Sequence, residues 1–214
     1  MHVPDGYLNT TTAAGTYAIS AAAAVYALRK LRQKVEEERI PVYGVAAALV
    51  FAAQMVNFPV FYGTSGHLIG GLLAALIAGP YGGFLIMTTV LVIQTLLFAD
   101  GGITALGANI LNMALIGSFG TYYLYFILAK TFKNERAAIV LSAWLSVVAA
   151  AAACSIELWL SGRAQLELVL PAMLAIHALI GIGEAIITLG LVEALKAIRP
   201  DILGSSLGAV SSGE

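Results

Sequence analysis

Long apolar runs separated by short polar or glycine-rich interruptions set the organisation of this chain. The first run extends from about Thr12 to Leu28, uncharged and alanine-rich, behind Asn9-Thr10-Thr11-Thr12, residues suited to starting a helix. Arg29-Lys30-Leu31-Arg32-Gln33-Lys34 and Glu36-Glu37-Glu38-Arg39 then read as a solvated loop, and Pro41 opens a second run that reaches about Tyr62. A third run, His67 to Gly79, is short: about twelve residues, or about 18 Å of helix against about 30 Å of hydrocarbon. Gly79-Pro80-Tyr81-Gly82-Gly83 reads as a turn, a fourth run continues to Phe98, and Ala99-Asp100-Gly101-Gly102 turns again. A fifth run ends near Leu128, a sixth covers Ala137 to Leu160, and a seventh runs from about Leu168 to Leu195.

The expectation is an all-α, polytopic membrane protein: a single seven-helix bundle over residues 1–200, with a Gly/Ser-rich flexible tail over 201–214. Basic residues orient it. With Met1 outside, the loops at 29–40 and 130–136 and the end of the seventh run face the cytoplasm, and they hold ten of the 11 Lys and Arg residues. Only Arg163 falls outside. This predicts the N-terminus outside, the C-terminus inside, and a multi-pass protein of a prokaryotic cell membrane.

Composition agrees and excludes several classes. The chain is 60% hydrophobic and 11% charged, with a mean hydropathy of +0.90. Soluble domains average about 45–50% apolar and about 25% charged. A net charge of −1 gives no support for nucleic-acid binding. The single Cys154 rules out an internal disulfide. No phosphate-binding G-x-x-x-x-G-K-[ST] loop occurs, so the chain has no ATPase site of that type, and no internal repeat of clear period is visible.

Candidate chemistry begins at Met1-His2-Val3-Pro4-Asp5-Gly6. No basic n-region marks a cleavable signal, and a bulky second residue discourages removal of the initiator, so Met1 is expected to be the mature terminus. Its amine, the His2 amide nitrogen and His2 Nδ1 can then close fused five- and six-membered chelate rings, leaving one corner of a square open. Nitrogens in a plane suit Ni(II) or Cu(II), and low-spin Co(II). The alternative is an N-terminal His without a role. The natural fourth nitrogen is His67, which follows Gly63-Thr64-Ser65-Gly66 on the same outer face. Its short helix is accommodated if it begins below the surface, where irregular backbone needs protein or a polar cavity around it. The alternative for His67 is an interfacial residue satisfied by a neighbouring hydroxyl.

Three stretches carry a resemblance. Met1-His2-Val3-Pro4-Asp5-Gly6, Gly63-Thr64-Ser65-Gly66-His67 and Asp100-Gly101-Gly102-Ile103-Thr104-Ala105-Leu106-Gly107-Ala108-Asn109 resemble the CbiM/NikM family, in the family's order. Those proteins are the substrate-binding membrane subunits of energy-coupling-factor importers for cobalt and nickel. The resemblance implies a square-planar site from the terminal amine of Met1, the amide and imidazole of His2, and His67. It implies partners too: a membrane coupling subunit (the T subunit), two cytoplasmic ATPases and, in many systems, a small accessory membrane subunit. The chain itself would be no enzyme. Pro4-Asp5 and the Asp100-Gly101-Gly102 turn look more like the nickel branch, so Ni(II) is the expected cargo and Co(II), for cobalamin synthesis, the alternative.

Other polar residues have two readings each. Asn57, Thr64, Asn109 and Asn112 are candidates to hydrogen-bond the ligating imidazoles, or else to join helices; Asp5 can help the terminus turn or add outer charge. His177, Gly181 and Glu184 share one helical face and read as packing or coupling, because seven residues of helix separate the His and the Glu by about 10 Å. Glu157, near the outer end of its run, is expected to reach solvent. Ala14, Ala18 and Ala22 form a small-residue stripe that packs internally or, as the resemblance implies, docks the coupling subunit. A reading from another class takes Gly63-Thr64-Ser65-Gly66 as an intramembrane serine protease motif with His177 as base. That requires Ser65 and His177 within hydrogen-bond reach, against an expected depth difference of about 10 Å.

Overall fold

The computed structural model describes residues 1–33, 37–60 and 64–203, and in it the apolar runs are helices. α1 spans Thr10–Leu31, its start capped by the Asn9 side chain, which accepts the Thr12 N–H at 2.8 Å. α2 spans Ile40–Gln54 with Pro41 in its first turn, where a missing N–H costs nothing. A two-residue antiparallel pair follows, β1 (Phe58–Pro59) against β2 (Ser65–Gly66). α3 spans Gly71–Phe98. α4 (Leu106–Ile110), a π-helical stretch (Leu111–Gly120) and α5 (Thr121–Phe132) run on as one helical rod. α6 (Glu135–Leu160), capped by Asn134, and α7 (Leu166–Ile198) pack as an antiparallel pair.

This is a predominantly helical, multi-pass membrane protein. Gly71–Phe98, Leu106–Phe132, Glu135–Leu160 and Leu166–Ile198 are each long and apolar enough to cross a bilayer. Large apolar side chains such as Val45, Leu97, Leu179 and Ile186 point away from the bundle, as lipid-facing residues do.

The expected turn at Gly79-Pro80 lies inside α3 as a break. Gly79 has φ 72° and ψ 174°, a conformation closed to side-chain-bearing residues, and Pro80 cannot continue the hydrogen-bond ladder. The two halves fold onto each other there. A Cβ at Gly83 would come within 2.5 Å of the Ala75 Cα, whereas eight residues of straight helix would put them about 12 Å apart.

Other boundaries differ from those expected. α2 stops at Gln54 rather than near residue 62, and the third helical segment begins at Gly71, so His67 lies in extended chain ahead of it. The sequence there carries apolar residues without announcing that they pair as short strands. At the other end Pro200–Ile202 is a 3-10 turn, and the Arg39 guanidinium donates to the Ile202 carbonyl at 2.7 Å, so the expected flexible tail is ordered at its start. Residues 204–214 of that tail lie outside the described residues, as do 34–36 and 61–63 of the expected loop and second run.

The bundle has two distinct ends. At one, Lys196 pairs with Glu135 at 2.6 Å, Arg136 with Glu193 at 2.9 Å, and Arg39 reaches Ile202. At the other, Arg163 donates to the Gly6 carbonyl at 2.6 Å and Asn9 to the Leu160 carbonyl at 2.9 Å. The N-terminal residues enter the bundle from this second end.

Candidate functional site

Met1, His2 and Val3 are almost wholly buried, with 0%, 2% and 0% of their surface exposed, an unusual fate for residues carrying an amine. Backbone pairing holds them. The Val3 N–H donates to Asn109 Oδ1 at 2.8 Å, the Asn109 amide returns a bond to the Val3 carbonyl at 3.3 Å, and the Gly102 N–H donates to the same carbonyl at 2.9 Å. Asp5 then turns the chain outward, its Oδ1 accepting both the N–H and the hydroxyl of Thr104 at 2.7 and 2.6 Å. These contacts hold the Asp5 carboxyl below its ordinary range. Gly102 is required for the fit, because a Cβ there would sit 2.2 Å from the Asp5 nitrogen.

Three nitrogens of the terminus converge. The Met1 amine, the His2 amide and His2 Nδ1 lie 3.3, 3.3 and 3.4 Å from one atom, Ser65 Oγ, and the amine also donates to the Ser65 carbonyl. His2 Nε2 faces Gln94 Oε1 at 3.2 Å, so with that carbonyl accepting, the ring carries its proton there and leaves a lone pair on Nδ1. The Asp100 carboxylate lies 3.2 Å from Nδ1, with its other oxygen held by the Asn57 amide at 2.9 Å.

His67 completes the cluster. Its ring stacks on that of His2 with centroids 4.6 Å apart and planes 27° apart. Its Nδ1 contacts the Leu68 carbonyl at 2.6 Å; a carbonyl can only accept, so the proton is on Nδ1 and Nε2 holds the lone pair. That Nε2 is buried and has no hydrogen-bond partner among the described residues. Burial also keeps these bases neutral: the amine falls from 8.0 to about 5, His2 from 6.5 to about 3, and His67 well below its usual value. The same desolvation raises the Asp100 carboxyl. Among the described residues no three His, Cys, Asp or Glu side chains form a metal-holding group; the donors gathered here include a terminal amine and a backbone amide.

Of the outer polar residues, Asp5 turns the terminus and Asn112 joins helices, each one of its two expected roles, and the others make different contacts. Asn57 hydrogen-bonds Asp100 and Asn109 hydrogen-bonds Val3 rather than an imidazole. The Thr64 hydroxyl approaches the Met173 sulfur at 3.5 Å. Asn112 donates to Glu157 at 2.7 Å, joining two helical segments, and Glu157 is 5% exposed rather than at solvent. Ser65 and His177 are not paired: Ser65 Oγ serves the terminus, while His177 Nδ1 bonds the Met173 carbonyl at 2.8 Å. Ala14, Ala18 and Ala22 lie exposed, because α1 packs inward through Thr16 and Ser20 on its opposite side, with Ser20 donating to the Gly107 carbonyl at 2.7 Å. Gln94 and Gln54 are not among the residues singled out from the sequence; a polar amide within an apolar run is the signal that points to them.

Residues 2–202 match the family described as the cobalt uptake substrate-specific transmembrane region, CbiM. The chain belongs to the CbiM family. It is 44% identical over 206 residues to NikMN of Archaeoglobus fulgidus, named as a fused nickel transport protein, covering 95% of this chain and 68% of that one. It is 32% identical to the cobalt transport protein CbiM of Sorangium cellulosum, covering 95% and 94% of the two chains. A crystal structure described as a truncated transition metal transporter superposes with a TM-score of 0.87 at 34% identity, covering 92% of this chain and 99% of that one. The fold and the nickel/cobalt transport family are thereby shown.

Proposed function

We propose that this CbiM-family chain is the substrate-capture subunit of an ATP-driven energy-coupling-factor importer, and that its cargo is Ni(II). The reading rests foremost on the convergence of the Met1 amine, the His2 amide and His2 Nδ1 on Ser65 Oγ, with the His67 ring stacked on that of His2 and its Nε2 without a hydrogen-bond partner among the described residues. With Met1 as the mature terminus, these are the four nitrogens of a square-planar site, and an ionised amide among them favours Ni(II) over high-spin Co(II). Asp100 supplies negative charge next to the incoming cation. Gln94 fixes the His2 tautomer, and Leu68 fixes that of His67.

In this reading the chain crosses the membrane seven times, with α3 contributing two spans either side of Gly79, the metal face outside and the Lys196–Glu135 end in the cytoplasm. Energy for release comes from partners: a membrane coupling subunit, docked on the exposed Ala14, Ala18 and Ala22 face, and two ATPases, with a small accessory membrane subunit as a further member. Co(II) is the second reading, favoured by the family's description and by the cobalt-named relative.

Metal analysis of the purified chain, with nickel and cobalt offered together at equal concentration, tests the proposal. The expected result is one nickel per chain. One cobalt per chain shifts the cargo, and a metal-free chain at micromolar nickel removes the capture role.

A further inference from the structure

Glu184 lies in the middle of α7 and is 2% exposed, yet it bonds no cation among the described residues. Its two oxygens each accept a backbone N–H, Oε2 from Ile69 and Oε1 from Gly70, both at 2.8 Å. On the other side of the same segment, the buried Gln54 amide of α2 donates to the Ile69 carbonyl at 2.7 Å. Gly70 is held in the left-handed region at φ 71°, and its carbonyl accepts from Ala74 as the helix begins. The short irregular stretch between β2 and α3 is therefore gripped from two helices at consecutive peptide groups. That stretch carries His67, whose Nδ1 proton is bound by the Leu68 carbonyl one residue before the grip.

We propose that Glu184 is a positioning residue for the metal site, clamping residues 69 and 70 so that His67 presents Nε2 to the cargo. This deepens the capture reading and rests on it. A carboxylate is needed because two adjacent donors point at one side chain. A glutamine offers a single acceptor oxygen, and its NH2 would face the second N–H, leaving that buried donor unsatisfied. Loosening the segment turns the His67 ring away, while the terminus stays anchored through Val3, whose N–H and carbonyl are held by Asn109 and Gly102.

A bare helix cap would stabilise the fold without acting through His67, and a double-mutant cycle separates the two. Ni(II) affinity is measured on the intact chain in detergent for wild type, E184Q, H67A and the pair, with the visible spectrum of each nickel-loaded form. E184Q is expected to weaken binding about 10- to 100-fold, as loss of a ligand-orienting partner does. Its spectrum should move toward that of H67A, and in the H67A background the substitution should cost nothing more. Equal penalties in both backgrounds, or an unshifted spectrum, would reduce Glu184 to a cap. If wild type binds nickel and E184Q matches it, this inference alone falls; if wild type binds none, the capture reading falls with it. Should E184Q fail to fold, Glu184→Asp carries the same cycle with both oxygens on a shorter stem.

Discussion

The His2 and His67 rings are in face-to-face contact, 4.6 Å between centroids, in a region from which water is excluded. Such a stack tolerates two neutral imidazoles and not two imidazolium ions. Burial accounts most for the neutrality, and repulsion adds to it, from the Met1 amine at both rings and from His2 at His67.

The docked terminus is therefore pH-sensitive in the metal-free protein. Each base has its pKa lowered on docking, so protons bind the undocked segment better. Docking is fully stable above about 8 and loses stability as pH falls from 8.0 toward about 5 through the amine, with His2 adding its share from 6.5 toward about 3. At about 1.4 kcal/mol per pH unit, the amine accounts for roughly 4 kcal/mol at most. Corrected for the intrinsic pH dependence of exchange, the protection factors of the His2, Val3 and Asp5 amides should fall as pH drops from about 8 to about 5, while those in α6 and α7 do not. Flat protection factors across that range would show the terminus to be held without regard to charge.

Gly102→Ala should release the terminus without unfolding the bundle. The new methyl would lie 2.2 Å from the Asp5 nitrogen and 2.6 Å from the Pro4 carbonyl carbon, both backbone atoms that cannot swing aside. Nickel binding should fall by at least tenfold, while Gly15→Ala, which meets nothing within 4 Å, should bind as wild type. Equal binding by both variants would place the cargo away from the terminus.

His67→Ala and His177→Ala form the next pair. Removing His67 should leave a folded protein that binds Ni(II) at least tenfold more weakly, because a solvent molecule replaces an imidazole already oriented by Leu68. Removing His177, whose Nδ1 is spent on Met173 O within its own helix, should lower thermal stability by opening a cavity but leave stoichiometry at the wild-type value. The reverse pattern would move the site onto α7.

The membrane class and most helices were legible because hydropathy is a local property, readable run by run. The chelating potential of Met1-His2 was legible because the donors are neighbours in sequence. What joins distant segments was not. Asn109 lies 106 residues from Val3, and nothing in its surroundings distinguishes a clamp on a peptide from a bond to an imidazole. Glu184 was visible as a charge in an apolar run, yet its partners are two backbone N–H groups that carry no sequence signature. The fold boundary at Gly71 was hidden for a related reason: Leu68 and Ile69 read as helix, and what holds Ile69 outside it are side chains from two distant helices, Glu184 and Gln54.

The exposed alanine face gives a prediction about partners. Ala14, Ala18 and Ala22 point away from the bundle, so a larger side chain meets no atom of this chain but separates it from a helix docked there. Ala18→Leu and Ala22→Leu should keep nickel binding and lose co-purification with the coupling subunit. Normal assembly by both would put the docking face elsewhere on the protein.

The terminal chelate makes the sharpest demand, because it depends on an atom that any N-terminal extension destroys. The Met1 amine is a neutral base in its buried position, against the Ser65 carbonyl and hydroxyl. One extra glycine before Met1 turns that amine into an amide and pushes new chain into a space where Met1 already has 0% of its surface exposed. Acetylation removes the same lone pair with a smaller group. Both changes should abolish tight Ni(II) uptake while the helices, held by contacts along α3, α6 and α7, remain folded by circular dichroism. A C-terminal tag should have no effect, because Ile202, the residue bound by Arg39, lies at the opposite end of the bundle. His2→Ala is a poorer test, since a small second residue invites removal of Met1 and changes two ligands at once. Mass spectrometry must establish that the extension is intact on the protein assayed. If that protein still takes up one nickel per chain with wild-type affinity, the amine is not a ligand, and the square of nitrogens built on it is wrong.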